Sequence, residues 1–118
     1  MRWPWWLPFG SVPEIEAAQL AQQLEAAEPI QLLDVRTHAE FERSHIAGSR
    51  HVPITELRGV VGNLPLQPSV RTVAICLSGH RSIPAVRVLH RHGFEQAMQL
   101  AGGMKAWWAA GLPVEGAG

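Results

Sequence analysis

A single cysteine, Cys76, serves the whole chain of 118 residues. An internal disulfide is therefore excluded, and so is a resolving thiol from the same chain. A reducing compartment suits such a sequence, and a cytoplasmic location is expected. Long apolar runs are also missing, and none approaches the ~20 residues that a membrane-spanning helix needs. Neither sign of charge is in excess, with 10 Lys+Arg against 10 Asp+Glu. The chain thus has no electrostatic footprint for nucleic acid. Lysine is almost absent; Lys105 is the single one, so cationic chemistry falls to arginine, whose planar fork suits anions. The histidines, 6 in all, show no metal-ligand spacing with Cys76. Neither a metal nor an organic cofactor is expected.

What is present is a globular composition, 47% hydrophobic and 17% charged, of a length that fits one domain. The first residues stand apart. Trp3, Trp5, Trp6, Leu7 and Phe9 crowd together, broken by Pro4 and Pro8. The prolines oppose a helix, and the continuous apolar region and small-residue cleavage site of a signal peptide are missing. Residues 1–12 are read as an arm and 13–118 as the domain. The tryptophans suit packing onto the domain. They also suit a membrane–water boundary, so weak membrane contact through Trp3, Trp5 and Trp6 is the second reading.

From Pro13 onward the pattern alternates between strand and helix. Ala17, Leu20, Ala21 and Leu24 recur at helical spacing, which predicts a helix over about 15–27. Ile30 to Val35 reads as a buried strand with Asp34 and Arg36 at its carboxyl edge. Thr37 is placed to cap a short helix reaching Arg43. His51-Val52 forms a minimal strand, and a weak helix spans about Ile54 to Gly62. Thr72 to Leu77 is the clearest strand. A tight loop, Ser78-Gly79-His80-Arg81-Ser82, leads into a helix with Ala85, Val86 and Leu89 on its apolar face; Pro84 falls in the first turn. Ala97 to Leu100 is a further strand, and Gly102-Gly103 turns into a helix carrying Trp107 and Trp108. Alternation of this kind implies α/β architecture with a parallel sheet covered on both faces. Ligands of such sheets bind beyond the carboxyl ends of the strands. Asp34 and Cys76 both fall at such ends.

A cysteine between a buried strand and a helix N-terminus meets free amide groups and a positive dipole end. A loop of small residues turns further amides inward as an anion nest. Both favour the thiolate, the reactive form of the side chain. Gly79 allows backbone conformations closed to other residues, and Arg81 adds a permanent charge to the same loop.

The stretch Cys76-Leu77-Ser78-Gly79-His80-Arg81-Ser82 resembles the active-site loop of single-domain rhodanese-like sulfurtransferases. So do Asp34-Val35-Arg36 with Glu40-Phe41, then Ser44-His45-Ile46-Ala47-Gly48-Ser49 with Val52-Pro53. The run Leu100-Ala101-Gly102-Gly103-Met104-Lys105-Ala106-Trp107, with Gly111-Leu112-Pro113-Val114, completes the pattern. The similarity extends from about Ile15 to Val114. Two positions depart from it: Ser44 replaces a usual glycine, and His80 occupies a variable loop position.

The resemblance implies a rhodanese-like α/β fold, a five-stranded parallel sheet flanked by helices on both faces. It implies that Cys76 is the nucleophile, that the amides of residues 77–82 cradle its sulfur, and that Arg81 helps hold an anionic donor such as thiosulfate. Sulfane sulfur would then move from the donor to a thiol or cyanide acceptor through a persulfide on Cys76. A protein sulfur acceptor is a further expected partner. Asp34 and Arg36 are read as supporting residues, with Arg36 and Glu40 spaced to pair on a short helix. His45 is expected to bond a loop backbone group, and Trp107 to lie in the core. The alternative is a persulfide carrier or protein-interaction module of the same fold with little small-molecule turnover. Cysteine phosphatases and arsenate reductases also use a Cys–Arg loop, but with five residues between the two. Here residues 77 to 80 separate Cys76 from Arg81, a ring suited to a single sulfur and too small for a phosphate.

Overall fold

The apolar runs at Ile30 and Thr72 become the centre of the sheet. In the computed structural model, residues 12–117 are described. The strands are β1 (Glu14–Ile15), β2 (Ile30–Asp34), β3 (Arg50–His51), β4 (Arg71–Ile75) and β5 (Ala97–Leu100). Between and after them run α1 (Ala17–Glu25), α2 (His38–Arg43), α3 (Ile54–Val60), α4 (Ser82–Arg91) and α5 (Gly103–Ala109). A 3-10 turn, Val61–Asn63, extends α3. The sheet has 5 strands in the order β1-β5-β4-β2-β3, and every pairing is parallel.

Side chains that alternate along β2 and β4 feed two separate layers. Leu33 and Ala74 point to one face, where Leu57, Ala85, Val86 and Leu89 of α3 and α4 cover them. Leu32, Val73 and Ile75 point to the other, beneath Leu20 of α1 and Met104 and Trp107 of α5. Trp107 is buried as expected, and its indole N–H donates to Pro113 O at 2.9 Å. The register puts Asp34 opposite Ile75, so the carboxyl ends of the two central strands lie side by side. Both continue directly into the polar segments of the site.

One expectation is corrected at the amino end. Ile15 does not open the first helix; it belongs to β1, and α1 starts at Ala17. The amides of β5 account for this, since Gln99 N–H donates to Pro13 O and Ala101 N–H to Ile15 O, each at 2.9 Å. Pairing with β5 also buries the Ile15 side chain, and so prevails over two more residues of a short helix. The clearest strand is likewise shorter than its apolar run, and Cys76 and Leu77 lie just past its end. The tryptophan-rich arm lies outside the described residues except for Val12, which packs against the α3–α4 layer. Among the described residues, no helix is long and apolar enough to cross a membrane.

Candidate active site

Cys76 is the first residue beyond β4, and α4 begins six positions later at Ser82. The intervening turn closes because Gly79 adopts φ +99°, a region that favours glycine. This conformation aims the Gly79 N–H at Cys76 Sγ, 2.8 Å away. Ser82 Oγ approaches the same sulfur at 3.4 Å. The residue is only 1% exposed, so a narrow group alone reaches the sulfur.

The loop is held from behind by the start of α5. Met104 N–H donates to Cys76 O at 2.8 Å, and Lys105 N–H to Leu77 O at 3.0 Å. Two glycines make this approach feasible. Gly102 and Gly103 have φ of +72° and +59°, and a Cβ on Gly103 would lie 2.6 Å from the Leu77 carbonyl carbon. The pair forms the expected turn, and Gly103 in addition leaves room for the backbone of the cysteine loop.

Beside the loop, Asp34 and Arg36 form a buried ion pair with exposures of 0% and 1%. Arg36 Nη2 donates to Asp34 Oδ2 at 2.8 Å and Nε to Oδ1 at 3.0 Å. The Arg36 amide also donates to Oδ1, and Nη2 reaches Ser44 O at 2.6 Å. With both Asp34 oxygens engaged, Arg36 acts as a brace between β2 and the segment after α2. His45 bonds a backbone carbonyl, from Nδ1 to Phe41 O at 2.6 Å, but that carbonyl belongs to α2 and not to a loop as expected.

The expected Arg36–Glu40 pair does not form. Arg36 is taken by Asp34, while Glu40 completes a capping box with Thr37. Its carboxylate also accepts from both terminal nitrogens of Arg81, at 2.7 and 2.9 Å. Glu40 is the residue that the sequence reading left out of the site. The Thr-x-x-Glu pattern from Thr37 was its signal, because a capping box pins the carboxylate at the start of the helix. Leu77 is half-buried and Ser78 and His80 are exposed, with His80 Nδ1 at 3.3 Å from Ser78 Oγ. Gln99 was read only as part of a strand, yet it accepts from the Ser82 hydroxyl at 2.6 Å. A lone amide inside an apolar run was the available signal, since a buried amide needs a partner. Among the described residues, no group of three or more His, Cys, Asp or Glu is placed to hold a metal ion.

The Arg81 hydrogen bonds, aided by those of Thr37 and opposed by burial, pull the Glu40 carboxyl down to about 2. The same contact raises the Arg81 guanidinium, with smaller pulls from Cys76 and Asp34. A depressed carboxyl gives stability that is complete above its unfolded-state value and lost as the pH falls through the folded one. This Glu40–Arg81 latch therefore acts fully above the ordinary carboxyl value of 4.5 and fades toward 2. Thermal melts of the parent and Glu40→Gln should differ by a constant amount at neutral pH. That difference should close across this acidic window; a difference unchanged by acid would contradict the latch.

A buried thiol that accepts from a loop amide at the carboxyl edge of a parallel sheet, with an arginine ending the loop, is the arrangement of a rhodanese-type cysteine site. The chain belongs to the rhodanese-like domain family, which it matches over residues 16–110. An Allochromatium vinosum protein named simply "Sulfurtransferase" is 33% identical over 103 residues, covering 87% of this chain and 94% of its own. A candidate sulfur carrier protein of Bacillus subtilis, YrkF, is 33% identical over 97 residues; the match covers 82% of this chain but only 51% of that protein. The crystal structure of a rhodanese-related protein from Thermoplasma volcanium superposes with a TM-score of 0.78 at 32% identity, covering 88% of this chain and 98% of that one.

Proposed function

We propose that this rhodanese-like sulfurtransferase or sulfur carrier loads sulfane sulfur onto Cys76 from a small anionic donor of the thiosulfate type, and passes it to a thiol or cyanide. The observation that carries this reading is the Gly79 N–H held 2.8 Å from a nearly enclosed sulfur. A donated N–H stabilises negative charge on the sulfur as the thiolate forms and when it is released again. The Cys76 thiolate attacks the outer sulfur of the donor; the donor's S–S bond breaks and sulfite departs with the electron pair. An acceptor then attacks the outer sulfur of the persulfide, and Cys76 leaves as thiolate. The tight enclosure of the sulfur supports a cargo of one atom. Leu77, Ser78, Gly79, His80, Arg81 and Ser82 line the route to it in this reading.

The test is intact-protein mass. Incubation with thiosulfate should add one sulfur atom, and cyanide or a reducing thiol should remove it. An adduct with repeated turnover supports the transferase, and an adduct with poor turnover supports the carrier. No adduct from thiosulfate, mercaptopyruvate or organic polysulfides, in folded protein with a titratable thiol, overturns both.

Arg81 is assigned to donor binding in this scheme. A charge-assisted hydrogen bond to a sulfonate contributes about 1.5–3 kcal/mol. Arg81→Ala should thus lower kcat/KM for thiosulfate by roughly 10- to 100-fold. Glu40 already occupies both terminal nitrogens of the arginine, so a donor must share or displace it. Glu40→Gln should accordingly leave thiosulfate use undiminished; an equal loss in both variants would show that the latch only holds the loop in shape.

A further inference from the structure

Beneath Cys76 a chain of hydrogen bonds leaves the site and ends at the surface. Cys76 Sγ lies 3.4 Å from Ser82 Oγ. The Ser82 hydroxyl donates to Gln99 Oε1 at 2.6 Å, and Gln99 Nε2 donates to Glu14 Oε2 at 3.1 Å. The direction of this chain is fixed from its far end. An ionised carboxylate only accepts, so Glu14 holds the Nε2 side of the amide. The Oε1 side must then face Ser82, and it takes the one proton that a serine hydroxyl possesses. Ser82 is left with lone pairs toward the sulfur. Gln99 is 7% exposed and Ser82 0%, so neither finds a substitute partner in water.

We propose that Gln99, oriented by Glu14, is a positioning residue that holds Ser82 as a hydrogen-bond acceptor toward Cys76 and thereby keeps the resting side chain in its thiol form. The thiol donates its proton to Ser82 Oγ and accepts from Gly79 N–H. Loss of that proton leaves Ser82 lone pairs facing an anion, unless the hydroxyl breaks away from Gln99. A persulfide does not suffer this conflict, because its charge sits on the outer sulfur. The relay therefore disfavours the bare thiolate and guards the unloaded site against adventitious electrophiles.

The inference rests on Cys76 being the reactive thiol of the proposed function, but its test needs no sulfur donor. Iodoacetamide alkylation of Cys76 is followed against pH. The charged residues on the segments packed around the cysteine loop are Arg81 with Glu40, Asp34 with Arg36, the exposed His80, Lys105 at the start of α5, and Glu14 at the far end of the hydrogen-bond relay. Gln99→Met changes none of these charges and frees the Ser82 hydroxyl to serve the thiolate. Its alkylation midpoint should move to lower pH, with a rate at mildly acidic pH roughly three- to tenfold above the parent, the scale of one hydrogen bond. In a Ser82→Ala background, Gln99→Met should make no further difference, because the hydroxyl it would free is gone.

Glu14→Gln, a change at an exposed residue, gives an independent reading should Gln99→Met fold poorly. It lets the Gln99 amide turn over, so the same acid shift is expected, again dependent on Ser82. A midpoint that stays in place or moves to higher pH overturns the inference. So does a shift that Gln99→Met or Glu14→Gln also produces within the Ser82→Ala background, which would be the effect of charge or loosening alone. A missing sulfur adduct in the parent would defeat the proposed function while leaving these midpoints readable.

Discussion

Replacing Cys76 with serine should abolish the sulfur adduct and turnover of the proposed function together, while the protein should melt close to the parent temperature. Serine nearly matches cysteine in shape, and its oxygen can accept from Gly79 N–H in place of the sulfur, which now accepts at 2.8 Å. The core around position 76 is therefore undisturbed. The chemistry is not preserved, because a serine hydroxyl stays protonated at neutral pH with no neighbouring base; the oxygens of Asp34 are committed to Arg36. Since Cys76 is the single thiol, every persulfide must sit there. Intact mass and turnover on the same sample check the result. A residual adduct in the serine variant would place the sulfur elsewhere.

Asp34→Ala should cost about 3–5 kcal/mol of stability, the scale for breaking a buried ion pair from one side. The loss comes less from the missing attraction than from the Arg36 guanidinium left behind, 1% exposed and without its counter-charge. Ser44 O remains as a partner for Nη2 but cannot neutralise it. Such a cost is a large share of the 5–15 kcal/mol that typically holds a domain together. Asp34→Asn keeps the shape and should fall between the parent and Asp34→Ala. The double change Asp34→Leu/Arg36→Met should recover much of the loss, because apolar residues in both places leave no orphaned charge. Denaturant midpoints measure all four proteins. A cost below about 1 kcal/mol for Asp34→Ala would show that Arg36 finds water or another partner.

The parts of this protein legible in its sequence are those in which local pattern and packing agree. Ala97–Leu100 emerged with its bounds as read, and Cys76, Gly79 and Ser82 were assembled around one sulfur because they lie close together in the chain. β1 escaped notice because two residues carry no period, and its partner is distant in sequence. The Arg36–Glu40 pair was misread for a related reason. Spacing of four places two side chains near each other only inside one helix, and Arg36 precedes the Thr37 cap. Outside the helix, Arg36 turns back to Asp34, and Glu40 is left free to meet Arg81, 41 positions away. Gln99 likewise gained its meaning only from Ser82 and Glu14, which are brought to it by β4–β5 and β1–β5 packing.

The strand order also bears on synthesis. β5, the last of the five strands in chain order, lies between β4 and β1. Until it emerges, β1 has no neighbour, and joining the two brings together Glu14 and Gln99, 85 positions apart. Parallel pairings across such separations form late and slowly. The backbone of Cys76 and Leu77 is fastened later still, by amides of Met104 and Lys105. A nascent chain thus displays its cysteine well before the backbone support from α5 can reach the loop around it.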